Sequence, residues 1–158
     1  MEIYNETVND LLDSNKTNLE IRGDKNSVVV ENLTKVQVKS LEDIIGLINK
    51  GNEVRKMGQH KMSDQTSRSH TIFRFELQVS EKNTQTSRKI INTSEINLVD
   101  LAGSEGVAKC GHQVGGTSMR EMNNINKSLL ALSNVFTKLG QKFKSHINYR
   151  DSKLTRIL

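Results

Sequence analysis

Asp100 closes a strand-like run, Ile96-Asn97-Leu98-Val99, and is followed at once by the turn Leu101-Ala102-Gly103-Ser104-Glu105. A carboxylate at the carboxyl end of a buried strand can hold Mg²⁺ through water. The Gly103 amide can approach a γ-phosphate because no Cβ intervenes. The same Asp-x-x-Gly turn also serves as a plain strand exit. A second cluster, Thr66-Ser67-Arg68-Ser69-His70, puts three hydroxyls and two basic groups just ahead of a strand. Those types suit a loop that meets phosphate and the oxygen shell of a metal. The simpler reading is a polar loop with a helix cap.

Charge points to a partner for the last third of the chain. The net charge is +5, yet residues 1–105 carry 14 basic and 16 acidic groups. Residues 106–158 carry 9 basic groups against only Glu121 and Asp151, a balance of +7. An acidic protein surface, nucleic acid or an anionic membrane would each suit that segment, and so would a solvated helical face.

These groups need a frame. Strand is expected at residues 1–4 and a short helical turn at residues 7–12. Turn chemistry at Gly23-Asp24-Lys25-Asn26 separates residues 19–22 from the β-branched run Val28-Val29-Val30. Val36 and Val38 alternate with polar neighbours, as in a half-buried strand. Ser40-Leu41-Glu42-Asp43 is a capping box: the Ser oxygen takes an orphan amide while the carboxylate reaches back. The helix it opens, marked by Ile44, Ile45, Leu47 and Ile48, is expected to run to the Arg55 region.

Phe73, Phe75, Leu77 and Val79 alternate with Arg74, Glu76 and Gln78, which predicts a one-faced strand over residues 70–79. Residues 96–99 form a second strand. Ile125, Leu129, Leu132, Phe136 and Leu139 recur at helical spacing over residues 124–140, and Gly140 suits the position past the helix end. That stripe reads as core, with Lys127 and Lys138 on the outer face. A further helix starts at Ser152. An initial strand with nothing upstream is expected to leave an edge unpaired, and a closing helix of about seven residues is marginal alone. The chain therefore reads as part of a domain.

Composition narrows the class. A length of 158 residues fits one domain, but 34% hydrophobic and 4% aromatic residues make a lean core, as if core-forming sequence lay elsewhere. Cys110 has no partner in the sequence, which excludes a disulfide scaffold and suggests a reducing compartment. No apolar run approaches the ~18 residues of a membrane span. No basic region leads into an apolar one after Met1, so a cytosolic or nuclear setting is the default.

Four segments, "KMSDQTSRSHTIF", "INLVDLAGSE", "NNINKSLLALSNV" and "INYRDSKLTRIL", occur in one order. Together they resemble the kinesin motor domain. The opening "MEIYNETVNDLL" resembles that family's central strand and following turn, so the likeness covers nearly the whole chain. The wording "EIYNE" and "INYRDSKLTRIL" is most similar to the centromere-associated kinesin-7 branch.

The resemblance implies an α/β fold over residues 1–158: a partial, P-loop NTPase-like motor domain with a central mixed, mostly parallel sheet flanked by helices. Thr66, Ser67, Arg68, Ser69 and His70 match switch I, and Asp100, Gly103 and Glu105 match switch II. Thr66, Ser67, Asp100 and Gly103 then contact ATP, Ser67 and Asp100 serve Mg²⁺ (the Asp through water), and Gly103 senses the γ-phosphate. By the same resemblance Arg68 is expected to pair with Glu105 and latch the switches around the hydrolytic water. The implied partner is the microtubule, met by Lys127, Lys138, Lys142, Lys144, His146, Arg150, Lys153 and Arg156. Tubulin is acidic, so these cations should speed capture in a salt-sensitive way. The setting would be cytoplasmic and cytoskeletal, with the spindle as one candidate. No nucleic-acid or membrane partner is implied, and any oligomer would form through a coiled coil outside the chain.

The chain departs from the family pattern in one large respect. No G-x-x-x-x-G-K-[ST] phosphate loop occurs in it; in kinesins that loop lies upstream of the strand resembling residues 1–4. The chain thus corresponds to the later half of a motor domain, without neck or tail, and alone is expected not to hydrolyse ATP at a useful rate. A non-enzymatic microtubule binder or a truncated product is the alternative. Smaller departures are Ser63 where the family has Asn, Thr66 for the first Ser of switch I, Gly106 where Arg is common, and the glycine-rich loop through Gly111, Gly115 and Gly116. A GTPase-like switch protein shares Asp-x-x-Gly, but the nearest string to its guanine-reading Asn-Lys-x-Asp, Asn126-Lys127-Ser128-Leu129, ends in Leu. A nucleic-acid binder lacks support from any aromatic platform or helix-turn-helix signature.

Overall fold

The computed structural model describes residues 1–24, 27–59, 66–82, 89–104, 117–141 and 146–158. β1 (Glu2–Tyr4) turns directly into β2 (Thr7–Asn9), with Tyr4 opposite Thr7. Residues 7–12 were expected to be helical. Instead Asn5 and Glu6 take φ of 50° and 57°, and two successive left-handed residues make the tight hairpin turn whose twist matches that of the strands. The signal was weak, because Asn-Glu replaces the usual Asn-Gly.

On its other side β1 pairs with β5 (Ser69–Lys82), which pairs with β6 (Lys89–Asp100) over its whole length. The sheet order is β2-β1-β5-β6, so β1 is an interior strand and not the open edge expected of it. Every described ladder is antiparallel, where mostly parallel pairing was expected. Parallel neighbours need long crossovers, and two of the three pairs in this sheet are between sequential strands. The α/β class stands, with sheet and helices packed together.

β3 (Ile21–Gly23) and β4 (Val28–Val30) form a second hairpin. Gly23 has φ of 103°, and a Cβ there would fall 1.8 Å from the Ser27 carbonyl oxygen, so only glycine fits. The strand expected around Val36 and Val38 is absent: residues 33–39 have no ladder, and Val36 is exposed. Their approach is fixed by Asp10, which accepts the Thr34 amide at 2.7 Å and the Leu12 amide at 2.8 Å.

α1 (Leu41–Gln59) opens with the predicted box: Ser40 Oγ accepts the Asp43 amide, and Asp43 accepts the Ser40 and Lys39 amides. α2 (Thr117–Leu139) starts earlier than predicted and buries a stripe shifted from the expected one. Glu121, Met122, Ile125, Ser128, Ala131 and Val135 face inward, Leu129 and Leu132 are half-buried, and Phe136 and Leu139 are exposed. The apolar stripe is therefore core only toward its N-terminal end.

α3 (Lys153–Ile157) has only five residues, too few to hold by themselves. A Ser152–Thr155 capping box starts it, and Leu154 and Ile157 are buried in the core with Met1, Ile3, Val8, Leu19, Ile21, Val30 and Ile72. Burial of two such side chains contributes roughly 1.5–3 kcal/mol each. Lys153 N–H donates to Glu6 and Arg74 donates to the Ile157 carbonyl, so the last element is bound to the first hairpin and to β5.

Candidate functional site

The register of β5 on β6 sets Thr71 opposite Asp100. The segment before β5 and the segment after β6 must therefore leave the sheet at the same end. There the 3₁₀ turn Thr66–Arg68 meets residues 101–104, and the Gly103 amide donates to the Ser67 carbonyl at 3.0 Å. The two clusters singled out in the sequence are thus joined backbone to backbone. β6 itself is not the buried strand expected: it is the last strand in the sheet order, and Ile96 and Leu98 are exposed.

The Asp100 side chain is 71% exposed and is held on one side by Arg55 Nη1 at 3.0 Å. Arg55, from α1, also donates to the Ser69 carbonyl and hydroxyl and lies 3.8 Å from the Glu2 carboxylate. In the sequence pattern Arg55 only marks a helix end. A clue was available, because Arg55 continues the inward face of Ile44, Leu47, Ile48 and Val54, where a cation needs carboxylates.

Arg68 Nη1 lies 3.2 Å from Glu121 Oε2 on α2, with both side chains mostly buried. Tyr4 donates to the other oxygen of Glu121 at 2.6 Å. Burial first, then this hydrogen bond to a carboxylate, push the Tyr4 hydroxyl up to about 12. Glu105, the partner expected for Arg68, lies outside the described residues. Glu121 was not foreseen, although one of only two acidic groups in a strongly basic segment invites a search for its cation.

His70 is buried between all three elements. The Ala102 amide donates to Nδ1 at 3.0 Å, and Nε2 lies 2.7 Å from Ser128 Oγ, which in turn donates to the Ile125 carbonyl at 2.7 Å. An amide can only donate, so Nδ1 is the bare nitrogen and Nε2 carries the proton. Burial holds the imidazole below its ordinary value, against a smaller upward pull from Asp100.

Of the expected basic face, Lys127, His146 and Arg150 are exposed, and Lys153 and Arg156 are half-exposed. Lys138 is half-buried and donates to the His146 carbonyl, which ties the end of α2 to the loop beyond it. Lys142 and Lys144 lie outside the described residues. Leu130, Phe136 and Leu139 add apolar surface to this region. The Thr66 backbone lies in the 3₁₀ turn, and Ser67 is exposed.

Among the described residues no three His, Cys, Asp or Glu side chains converge on a metal position. Mg²⁺ takes one or two carboxylates and completes its shell with phosphate and water. The exposed carboxylate of Asp100 and the hydroxyl of Ser67 supply hard oxygens of the right kind. Among the described residues no helix is long and apolar enough to cross a membrane.

Fold and site together define an α/β domain with two polar loops at one end of its sheet, each tied to a single long helix. The kinesin motor domain model matches residues 1–158. The chain belongs to the kinesin motor domain family. It is 47% identical to kinesin-like protein KIN-7L of Oryza sativa subsp. japonica, matching 100% of this chain and 25% of that protein. It is 46% identical to the kinesin heavy chain of Strongylocentrotus purpuratus, over 99% of this chain and 15% of that protein. The chain therefore spans a quarter or less of these relatives. Among solved structures, a fast kinesin superposes with a TM-score of 0.80 at 39% identity, covering 99% of this chain and 43% of that one. The Kar3Vik1 motor and motor homology domain, fused to a synthetic coiled coil, superposes with a TM-score of 0.74 at 40% identity, covering 98% and 39%.

Proposed function

We propose that residues 1–158 are the later part of a microtubule motor domain in which ATP binding and hydrolysis drive movement along the track. The observation that carries this reading is the bond from the Gly103 amide to the Ser67 carbonyl, which joins the two loops matching switch I and switch II. When bound, ATP with Mg²⁺ supplies the phosphoryl group and the charge to which the loops respond. Asp100 and Ser67 would hold the cation, Thr66 and Gly103 the nucleotide, and Arg68 with Glu105 the water. The Gly103 amide has one proton to donate, so a phosphate oxygen can accept it only by displacing the Ser67 carbonyl. That exchange is a physical switch between two arrangements of the loops.

The basic segment supplies the track-facing surface, through Lys127, Lys138, Lys142, Lys144, His146, Arg150, Lys153 and Arg156. The protein acts on the cytoplasmic cytoskeleton, needs neither nucleic acid nor membrane, and any pairing of motors rests on a coiled coil elsewhere. No G-x-x-x-x-G-K-[ST] occurs in these residues, so the polypeptide alone is inactive as an ATPase and needs a phosphate loop from other sequence.

Co-sedimentation of the full-length protein with microtubules, in ADP and in a non-hydrolysable ATP analogue, tests the reading. Affinity should depend on nucleotide and fall with added salt, and Asp100→Asn should abolish the nucleotide dependence. Equal affinity in both nucleotides would reject the motor in favour of a passive microtubule binder. Microtubule-stimulated ATP turnover by residues 1–158 alone, above a Glu105→Ala control, would reject the inactivity.

A further inference from the structure

His70 is the one described side chain that joins the turn after Asp100 to α2 through two hydrogen bonds of fixed direction. It emerges from the start of β5, is 2% exposed, and has each ring nitrogen committed. Nδ1 accepts from Ala102, the residue before Gly103, and Nε2–H donates to Ser128 two turns along α2 from Glu121. Ser128 is 1% exposed and donates its own O–H to the Ile125 carbonyl, so it can only accept from the ring.

We infer that His70 is a positioning residue, held as the Nε2–H tautomer, that transmits the state of the Ala102–Gly103 turn to α2 through Ser128. The inference rests on the motor reading above, and deepens it. Any change of partner at the Gly103 amide turns the adjoining peptide and moves the Ala102 N–H relative to Nδ1. The ring cannot follow by rotating within its own plane without losing Ser128, and Ser128 cannot be replaced by water in a site this closed. Ring, hydroxyl and the Ile125 carbonyl therefore shift together, and α2 shifts with them. A neutral imidazole does this with two directed bonds. A Lys or Arg has no acceptor, and an aliphatic side chain has neither bond.

The test uses the full-length protein and two substitutions outside the proposed nucleotide ligands. His70→Asn keeps an acceptor for Ala102 but falls short of Ser128; Ser128→Ala keeps the ring and removes its acceptor on the helix. The reading is the ratio of microtubule affinities in the ATP-analogue and ADP states. Each substitution is expected to reduce that ratio at least about fivefold, the low end of measured couplings between sites. The double variant should be no worse than the more damaged single variant, because both cut one chain.

A second readout needs no variant: in protein carrying ¹⁵N-histidine, the His70 Nε2–H signal should be present and should move when the nucleotide is exchanged. An unchanged ratio in soluble variants, or a His70 signal that ignores the nucleotide, would overturn the inference while leaving the motor reading intact. A wild-type protein whose microtubule affinity does not depend on nucleotide would overturn both.

Discussion

The tie between Arg68 and Glu121 permits a quantitative test. The two side chains are 20% and 11% exposed, and the charged atoms are 3.2 Å apart. Exposed ion pairs contribute about 0–1 kcal/mol, whereas removing one partner of a buried pair costs about 3–5 kcal/mol. At this burial the pair belongs between those limits, at about 2 kcal/mol. Glu121→Ala also removes the acceptor of Tyr4, a hydrogen bond to a charged group and so worth about 1.5–3 kcal/mol.

We therefore expect Glu121→Ala to destabilise the chain by about 3 kcal/mol, Arg68→Ala by about 2, and Tyr4→Phe by about 1.5. In a double-mutant cycle on urea unfolding, Arg68 and Glu121 should couple by about 1–2 kcal/mol, and the coupling should change little with added salt. A coupling below about 0.5 kcal/mol, or one that salt abolishes, would show two solvated charges and refute the argument that Arg68 anchors the Thr66–Arg68 turn to α2.

Three further outcomes follow from single groups. The buried imidazole of His70 sits below its unfolded value of 6.5, so the unfolded state binds the proton more readily. Stability contributed by the neutral ring is complete above pH 6.5 and falls on acidification toward its lowered folded value; His70→Asn should flatten that slope in pH-dependent urea unfolding. Gly23→Ala should cost at least about 2 kcal/mol in the same assay, since it adds both a strained φ and a clash with the Ser27 carbonyl. Ultraviolet titration of wild type against Tyr4→Phe should assign to Tyr4 an ionisation at about pH 12, and an ionisation near 10 would remove Glu121 from its hydroxyl.

Local signals in the sequence were legible where a single residue type dictates the backbone. The Ser40 box, the Gly23 turn, the end of β6 at Asp100 and the start of α3 at Ser152 all lie where capping and turn chemistry put them. What failed needed a partner distant in sequence. Residues 7–12 are polar enough for a helical turn, yet Thr7–Asn9 become a strand because β1 lies beside them. Val36 and Val38 alternate like a strand, yet no described edge receives them. Hydrophobicity alone marks one stripe on α2, but the buried face includes Glu121 and Ser128, which are inside because Arg68, Tyr4 and His70 meet them there. Motif resemblance found both loops, but nothing local to Arg55 or Glu121 could say which charge each would face.

The positions of those contacts on α2 bear on how such a domain could work. Glu121, Ile125, Ser128 and Leu132 are spaced by four, three and four, which puts them on one stripe of the helix. Arg68 holds the first and His70 the third, so the segment entering β5 grips α2 at points two turns apart on a single face, and the turn after Asp100 joins the second grip through His70. At about 100° per residue, Lys127 and Leu130 lie roughly 120° and 180° round from Glu121, on the side that the loops leave free. One grip is an ion pair, tolerant of small displacements because charge attraction falls slowly with distance. The other is a pair of directed hydrogen bonds that weaken steeply with angle. A rearrangement of the turn at Gly103 would therefore carry the directed His70–Ser128 link with it while the Arg68 link held. The helix would then pivot about Glu121 instead of leaving the sheet, and the exposed side carrying Lys127 would swing with it.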